Sequence, residues 1–287
     1  MALRNALLAA AACALAACNQ SGAPEPDPPA VQLYAMDCGH STFSDIGMFA
    51  DDGSMNGQSR TLVVPCYLIR HPSGDLIWDT GLPEAIADMP DGWRPDGFPA
   101  HFVVPVKLTA QLQQLGLTPA DIEFVSFSHM HSDHTGNGNL FTASTWIVDA
   151  DERTRMFDAE HRADPQDFNN YNRLETAETQ LIEGDAEHDV FGDGSVRVIQ
   201  APGHTPGHTV LLVQLPNAGA VLVTGDMWHL AESRERRLVP SFNTDRAQTI
   251  ASMDKVEALA RENEALVIRE HVQEDFDAMP RFPEALN

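Results

Sequence analysis

Within six residues, His129-Met130-His131-Ser132-Asp133-His134, the chain carries three imidazoles and a carboxylate. Neutral imidazole and ionised carboxylate are good donors to Zn, Fe, Co and Mn, and a tetrahedral ion takes only four ligands in all. So much donor capacity on one short stretch suggests two ions side by side. In extended chain, residues two apart point the same way, so His129 and His131 can grip one ion together. A bend at Gly136 and Gly138 would then turn Asp133 and His134 toward a second ion. The bland alternative is a solvated, His-rich loop in a chain that holds 12 His.

The remaining ligands must come from elsewhere, and three further stretches repeat the pattern of a strand followed by a donor. Residues 196–200 lead into Gly203-His204-Thr205-Pro206-Gly207-His208. Residues 220–224 lead to Gly225-Asp226, and 266–268 lead to Arg269-Glu270-His271. One such His or Asp is usually a polar loop residue, but three together with the cluster strain that explanation.

The elements that must hold these donors follow from apolar runs and turn residues. Strands are predicted over 31–34, 62–70, 75–78, 124–128, 145–148, 196–200, 209–215, 220–224 and 266–268, with His71-Pro72-Ser73-Gly74 turning between two of them. Val106, Leu108, Leu112 and Leu115 fall near helical spacing before Gly116, and Thr118-Pro119 caps a further turn. Ile250, Met253, Val256 and Leu259 form the apolar stripe of a helix over 245–264. Alternating strands and helices imply a layered α/β architecture. No second linker follows residue 31, so residues 31–287 read as one catalytic domain.

Composition narrows the partners. Of 287 residues, 43% are hydrophobic and 21% charged, as in an ordinary globular protein, but 42 Asp and Glu face 18 Lys and Arg for a net charge of −24. That field repels phosphate backbones, so nucleic acid is excluded and small neutral or apolar molecules are favoured. The first 17 residues, a short positive start and an apolar run too short to span a bilayer, read as an export signal. Its end, Leu15-Ala16-Ala17-Cys18, resembles the lipobox of bacterial lipoproteins, which implies lipidation at Cys18 and a membrane anchor facing the periplasm. Residues 18–30, with Pro24, Pro26, Pro28 and Pro29, form a tether. Cys38 and Cys66 are left to pair or to remain free thiols.

Taken together, the 129–134 cluster, the 203–208 segment, Asp226 after Thr224-Gly225, and Asp79-Thr80-Gly81 after a strand resemble the metallo-β-lactamase superfamily. The likeness is closest to its N-acyl homoserine lactonase branch, through residues 31–34, Leu117-Thr118-Pro119-Ala120-Asp121-Ile122 and Arg281-Phe282-Pro283-Glu284. The resemblance implies an αββα sandwich with two divalent ions at one edge, zinc foremost and Fe, Co or Mn admissible. It assigns His129, His131 and His204 to one ion, Asp133, His134 and His271 to the other, and Asp226 to both. Asp79 then orients a ligand imidazole from behind, and His208 is structural because the seven ligands already fill two sites. The implied chemistry is opening of a lactone by a water shared between the ions, with Asp133 passing a proton to the leaving alkoxide.

Departures from the branch pattern concern the substrate. His229 stands where many lactonases carry a Tyr that bonds the substrate carbonyl, and it reads equally as a donor or a pocket wall. Ser132 replaces a bulky apolar residue, and Glu270 and Val272 replace Gly and Asp around the last ligand. A lipophilic pocket is expected from Met48, Phe49, Trp93, Phe98 and Phe102, in the long irregular stretches 39–60 and 82–105. The competing functions are a thioesterase of the glyoxalase II type, which would add a basic C-terminal region, and a non-catalytic metal-binding lipoprotein.

Overall fold

The computed structural model describes residues 30–287; the expected leader over 1–17, Cys18 and the tether up to residue 29 lie outside the described residues. Seven strands make the first sheet: β1 (Gln32–Phe43), β2 (Arg60–His71), β3 (Gly74–Trp78), β4 (Ala100–Val103), β5 (Phe124–Ser126), β6 (Thr145–Asp149) and β7 (Thr179–Ile182), in the order β4-β1-β2-β3-β5-β6-β7. The second sheet, in the order β12-β11-β10-β9-β8, contains β8 (Glu187–Asp189), β9 (Val196–Gln200), β10 (Thr209–Leu215), β11 (Gly219–Val223) and β12 (Leu266–Ile268). Helices are α1 (Leu108–Gln114), α2 (Ser132–Thr135), α3 (Ala150–Met156), α4 (Ala159–Arg162), α5 (Pro165–Tyr171), α6 (Ser233–Arg236), α7 (Arg246–Glu262) and α8 (Gln273–Asp277).

Why the strands read as unbroken apolar runs is clear from the layering. In β10, Leu211 and Val213 face the first sheet, where they meet Tyr67, Ile69 and Trp78, while Val210 and Leu212 face Met253 and Val256 of α7. Likewise Leu68 and Ile77 turn outward from the first sheet against Leu108 and Leu112 of α1. Both faces of each sheet are therefore covered, and alternation between polar and apolar residues disappears. Each such side chain contributes about 1.5–3 kcal/mol by leaving water. The layers run helix, sheet, sheet, helix, the αββα sandwich expected from the motifs.

Helix ends follow local chemistry. The Asp245 carboxylate accepts the Gln248 amide at 2.9 Å and starts α7, and Gly116 (φ 75°) closes the turn after α1. The Thr118 turn is locked by reciprocal bonds with Asp121.

Three features differ from the sequence reading. β1 runs on to Phe43 rather than ending at Tyr34, because a bulge between Asp37 and His40 absorbs the polar, Gly-bearing segment without breaking the pairing with β2. The short strands β4, β7 and β8 were not foreseen: they lie at sheet edges, where one-sided pairing tolerates His, Gln and acidic residues. Third, Cys38 and Cys66, left open above, form a disulfide between β1 and β2 with 5.7 Å between their Cα atoms.

Candidate metal centre

The His/Asp cluster begins just beyond the end of β5, where the chain bends before entering a short helix. His129 lies in a bending stretch over residues 128–131, and His131 (φ −61°, ψ 154°) caps α2, whose first turn carries Asp133 and His134. The bend expected at Gly136 and Gly138, to turn Asp133 and His134 toward a second ion, falls over residues 128–131 instead. Gly136 is needed for close packing: a Cβ there would sit 2.3 Å from the Gly81 carbonyl oxygen, which accepts the Gly136 amide at 2.9 Å.

Donor atoms converge in two sets. His129, His131, His204 and Asp226 form one, and Asp133, His134 and His271 the other. The nitrogens His129 Nε2 and His204 Nε2 approach His131 Nδ1 to 2.7 and 3.2 Å. Asp226 divides its carboxylate between the sets. Its Oδ2 lies 3.3 Å from His129 Nε2 and 3.1 Å from His204 Nε2, while Oδ1 lies 3.2 Å from His134 Nε2 and 2.8 Å from His271 Nε2. Asp133 completes the second set, 3.8 Å from both His134 and His271. All seven expected ligands are therefore brought together, drawn from both sheets.

Buried imidazole nitrogens packed this closely, with His134 Nε2 and Asp226 Oδ1 left without hydrogen-bond partners, fit a pair of cations and little else. The electrostatics agree. Burial, with the neighbouring His134 charge, holds His129 well below the usual imidazole range; burial and His204 push His131 down to about 3. Their lone pairs are thus free at neutral pH. Burial opposes charge on His134 and His271 too, but Asp79, Asp226 and Asp133 outweigh it for His134, and Asp226 and Asp133 raise His271 to about 9. Asp226 itself is held far below the carboxylate range, because His229, His134, His271 and His129 overcome its burial. The centre is built to hold positive charge.

A ring of outer groups fixes the ligands. Asp79 Oδ2 lies 2.8 Å from His134 Nδ1, and its two oxygens also accept the Ser128 amide and hydroxyl. His271 Nδ1–H donates to the Val63 carbonyl at 2.8 Å. His208, expected to be structural, donates from Nδ1 to the Ala201 carbonyl and accepts the Asp226 amide at Nε2, each at 3.0 Å. A side chain at Gly225 (φ 51°) would strike that imidazole, with its Cβ 2.6 Å from Nε2. Two carboxylates missed as structural elements complete the ring. Glu152 accepts the amides of Met130 and Gly207, each at 2.8 Å, tying the His131 loop to the His204 loop. Glu270 is buried behind His134, accepting Trp78 Nε1–H at 3.0 Å. Nothing in the sequence marked Glu152, since its partners are backbone groups.

The centre opens into a cavity of about 270 Å³ walled by Phe43, Met48, Phe49, Leu62, Phe98, Phe102 and Phe242, with Ser132, Asp133, Asp167 and His229 on the polar side. Met48, Phe49, Phe98, Phe102 and Ser132 are where the sequence reading placed them. Trp93 is not: it pairs with Phe102 through backbone bonds of 2.9 Å and backs that ring from outside the cavity. Phe242 and Asp167 were not foreseen. His229, buried beside Phe49, points Nε2 at Asp226 Oδ2 from 2.9 Å, and that nitrogen makes no hydrogen bond of good geometry.

Comparison with known proteins gives this arrangement its class. The family model described as the metallo-beta-lactamase superfamily matches residues 60–271. The N-acyl homoserine lactonase AttM of Azorhizobium caulinodans is 32% identical over 238 residues, covering 80% of this chain and 88% of that protein. The lactonase AiiA of Bacillus thuringiensis subsp. kurstaki is 29% identical over 234 residues, covering 79% and 88%. The chain therefore belongs to the metallo-beta-lactamase superfamily and, within it, to the N-acyl homoserine lactonase family. A solved N-acyl homoserine lactone hydrolase, with the product N-hexanoyl-L-homoserine at its catalytic metal centre, superposes with a TM-score of 0.74 at 23% identity, over 90% of this chain and 99% of that one. AidC, a dizinc quorum-quenching lactonase, superposes at 0.62 and 16% identity, over 89% of each chain, which bears on the fold alone.

Proposed function

We propose that the protein is an exported, metal-dependent hydrolase that opens the ring of N-acyl homoserine lactones or similar lipophilic lactones. One observation carries this reading: a carboxylate shared between two imidazole sets lies at the floor of a cavity whose other walls are mostly phenyl and aliphatic. His129, His131, His204 and Asp226 would hold one ion, and Asp133, His134, His271 and Asp226 the other. Two divalent ions, zinc foremost, would supply polarisation of the lactone carbonyl and activation of water at neutral pH. The chain's own residues do the rest. The aromatic wall takes the acyl chain and excludes bulk water. His229, directed at the centre, is placed to donate a hydrogen bond to the carbonyl oxygen, the task a Tyr performs elsewhere in the branch. Asp133 keeps 28% of its side chain exposed, against 4% for Asp226, and is the carboxylate placed to pass a proton to the departing alkoxide. Water adds at the acyl carbon, the ring C–O bond breaks, one of the water's protons ends on the new hydroxyl, and the other is released to solvent as the carboxylic acid ionises. The neutral substrate becomes an anion, which the net charge of −24 tends to expel.

Titration of protons released from short- and long-chain N-acyl homoserine lactones, simple γ- and δ-lactones and thioesters, with and without chelator, tests the proposal. Lactones should be preferred, and chelation should abolish turnover. Thioesters turned over better than every lactone would favour the glyoxalase-type reading; metal bound without hydrolysis of any ester would favour a metal-binding lipoprotein. Export and lipid anchoring at Cys18 belong to the same proposal, supported by the Cys38–Cys66 disulfide, which suits an oxidising compartment. Membrane-fraction release of a Cys18→Ala chain expressed in a Gram-negative host checks the anchor.

A further inference from the structure

Cys38 falls inside the bulge of β1, where neither it nor Gly39 has a partner in register on β2, and the facing stretch of β2 carries Pro65, which has no N–H to donate. The disulfide to Cys66, buried in the same cluster as Met36, Leu68 and Leu108, fastens the two strands where their ladder lapses. Segment 79–82 lies directly on it. The Leu82 amide donates to the Cys38 carbonyl at 3.3 Å. A side chain at Gly81 (φ 67°) would strike the Cys38 Cβ, and its Cβ would lie 3.0 Å from Cys66 Sγ.

The same segment grips α2. Thr80 donates to the His134 carbonyl from its amide at 2.7 Å and its hydroxyl at 3.0 Å, and the Gly81 carbonyl accepts the Gly136 amide at 2.9 Å. Asn137, just past the helix, donates from Nδ2 to the Thr80 and Leu82 carbonyls at 2.6 and 2.8 Å, and Asp79 Oδ2 lies 2.8 Å from His134 Nδ1. The helix held this way carries Asp133 and His134, donors of one set only. Among the described residues, His131 and His204 have no hydrogen bond with segment 79–82, and His129 meets it only through Ser128. The loops of those three are tied by Glu152 instead. We propose that the Cys38–Cys66 disulfide is a positioning device for one ion of the pair. By seating segment 79–82 it holds Asp133 and His134 in place, so that loss of the link weakens their ion and spares the ion of His129, His131 and His204. This rests on the two-ion reading above and goes beyond it, making capture of one ion depend on a cross-link between residues that are not themselves ligands.

Stepwise competition for zinc between the metal-free protein and a chromophoric chelator resolves the two ions. Asp133→Ala, which strips a donor from one set only, marks which step belongs to which ion. The double change Cys38→Ala, Cys66→Val keeps the place apolar without the link. It should hold the ion of Asp133 and His134 about tenfold or more weaker than wild type, and the other ion within about threefold. Val256→Ala opens a cavity in the opposite outer layer, between α7 and the second sheet; it controls for lost stability and should hold both ions as wild type does. If the link-free chain does not fold, Gly81→Ala takes its place: the link stays, the segment is lifted off it, and the same one-sided loss is expected. Both ions weakened alike, neither weakened, or the same one-sided loss in Val256→Ala overturns the positioning role and leaves the two-ion reading intact. A wild-type protein that binds fewer than two ions overturns both.

Discussion

Replacement of Glu152 by Ala is expected to loosen the metal centre from a distance. The Glu152 carboxylate touches no ligand side chain; it accepts the amides of Met130 and Gly207. Met130 lies between His129 and His131, and Gly207 follows His204 by three residues, so one buried group sets the spacing of two loops. In the Ala variant both amides lose their acceptor in a dry environment, at about 1–3 kcal/mol each. The summed cost, about 2–6 kcal/mol, is a large part of the roughly 5–15 kcal/mol that holds a domain folded. The ligands those loops carry should also lose preorganisation, and outer groups of this kind are worth about 10–100-fold in metal affinity. Urea unfolding of the metal-free protein reads the first quantity, and competition with a chromophoric chelator reads the second. Glu152→Gln keeps one acceptor oxygen and should recover roughly half of the stability. If Glu152→Ala unfolds within about 0.5 kcal/mol of wild type, the range of an ordinary surface change, and retains both ions equally well, the argument from orphaned amides is wrong.

Other perturbations have equally direct readouts. Asp226→Asn removes the charge that faces both imidazole sets and should weaken both ions together, by elemental analysis after dialysis, rather than one alone. Opening the Cys38–Cys66 link by a Cys38→Ser, Cys66→Ser double change frees a loop of 28 residues and should cost about 2–4 kcal/mol in denaturant unfolding. His229→Phe should lower kcat about 10-fold or more while the protein keeps two ions, and His229→Tyr should restore most of it. Glu152 also predicts a pH dependence. Burial raises its carboxyl from an ordinary value near 4.5 to about 7, so stability present at low pH is lost as pH rises through that range. In the metal-free state the wild type should lose up to about 3 kcal/mol relative to Glu152→Gln between pH 4.5 and about pH 8.

The centre was legible because metal ligation is written in residue types. His129, His131, Asp133, His134, His204, Asp226 and His271 are unusual at strand ends, and each sits where a buried strand stops, so periodicity located them. What surrounds them was less legible for a physical reason. Glu152 works through backbone amides, Asp167 through proximity created by α5, and Phe242 through a loop after α6; none has a partner near in sequence. Glycine is the usual mark of a bend, which points to Gly136; the chain bends instead over residues 128–131, and Gly136 marks close approach of two segments. Trp93 failed similarly: an aromatic residue in a long loop can line a cavity or support the residue that does, and composition cannot separate the two.

The seven donors are split between the layers. The first sheet and its α2 turn bring His129, His131, Asp133 and His134, and the second sheet brings His204, Asp226 and His271. Each ion would therefore act as a rivet through both plates of the sandwich. Neither half can seat a cation fully until the other has docked, so ion capture reports on assembly of the whole molecule. With ligand in excess, every tenfold of free ion above its dissociation constant adds about 1.4 kcal/mol to the folded state. Scarcity of metal would then be felt first as a weakening of the joint between the sheets.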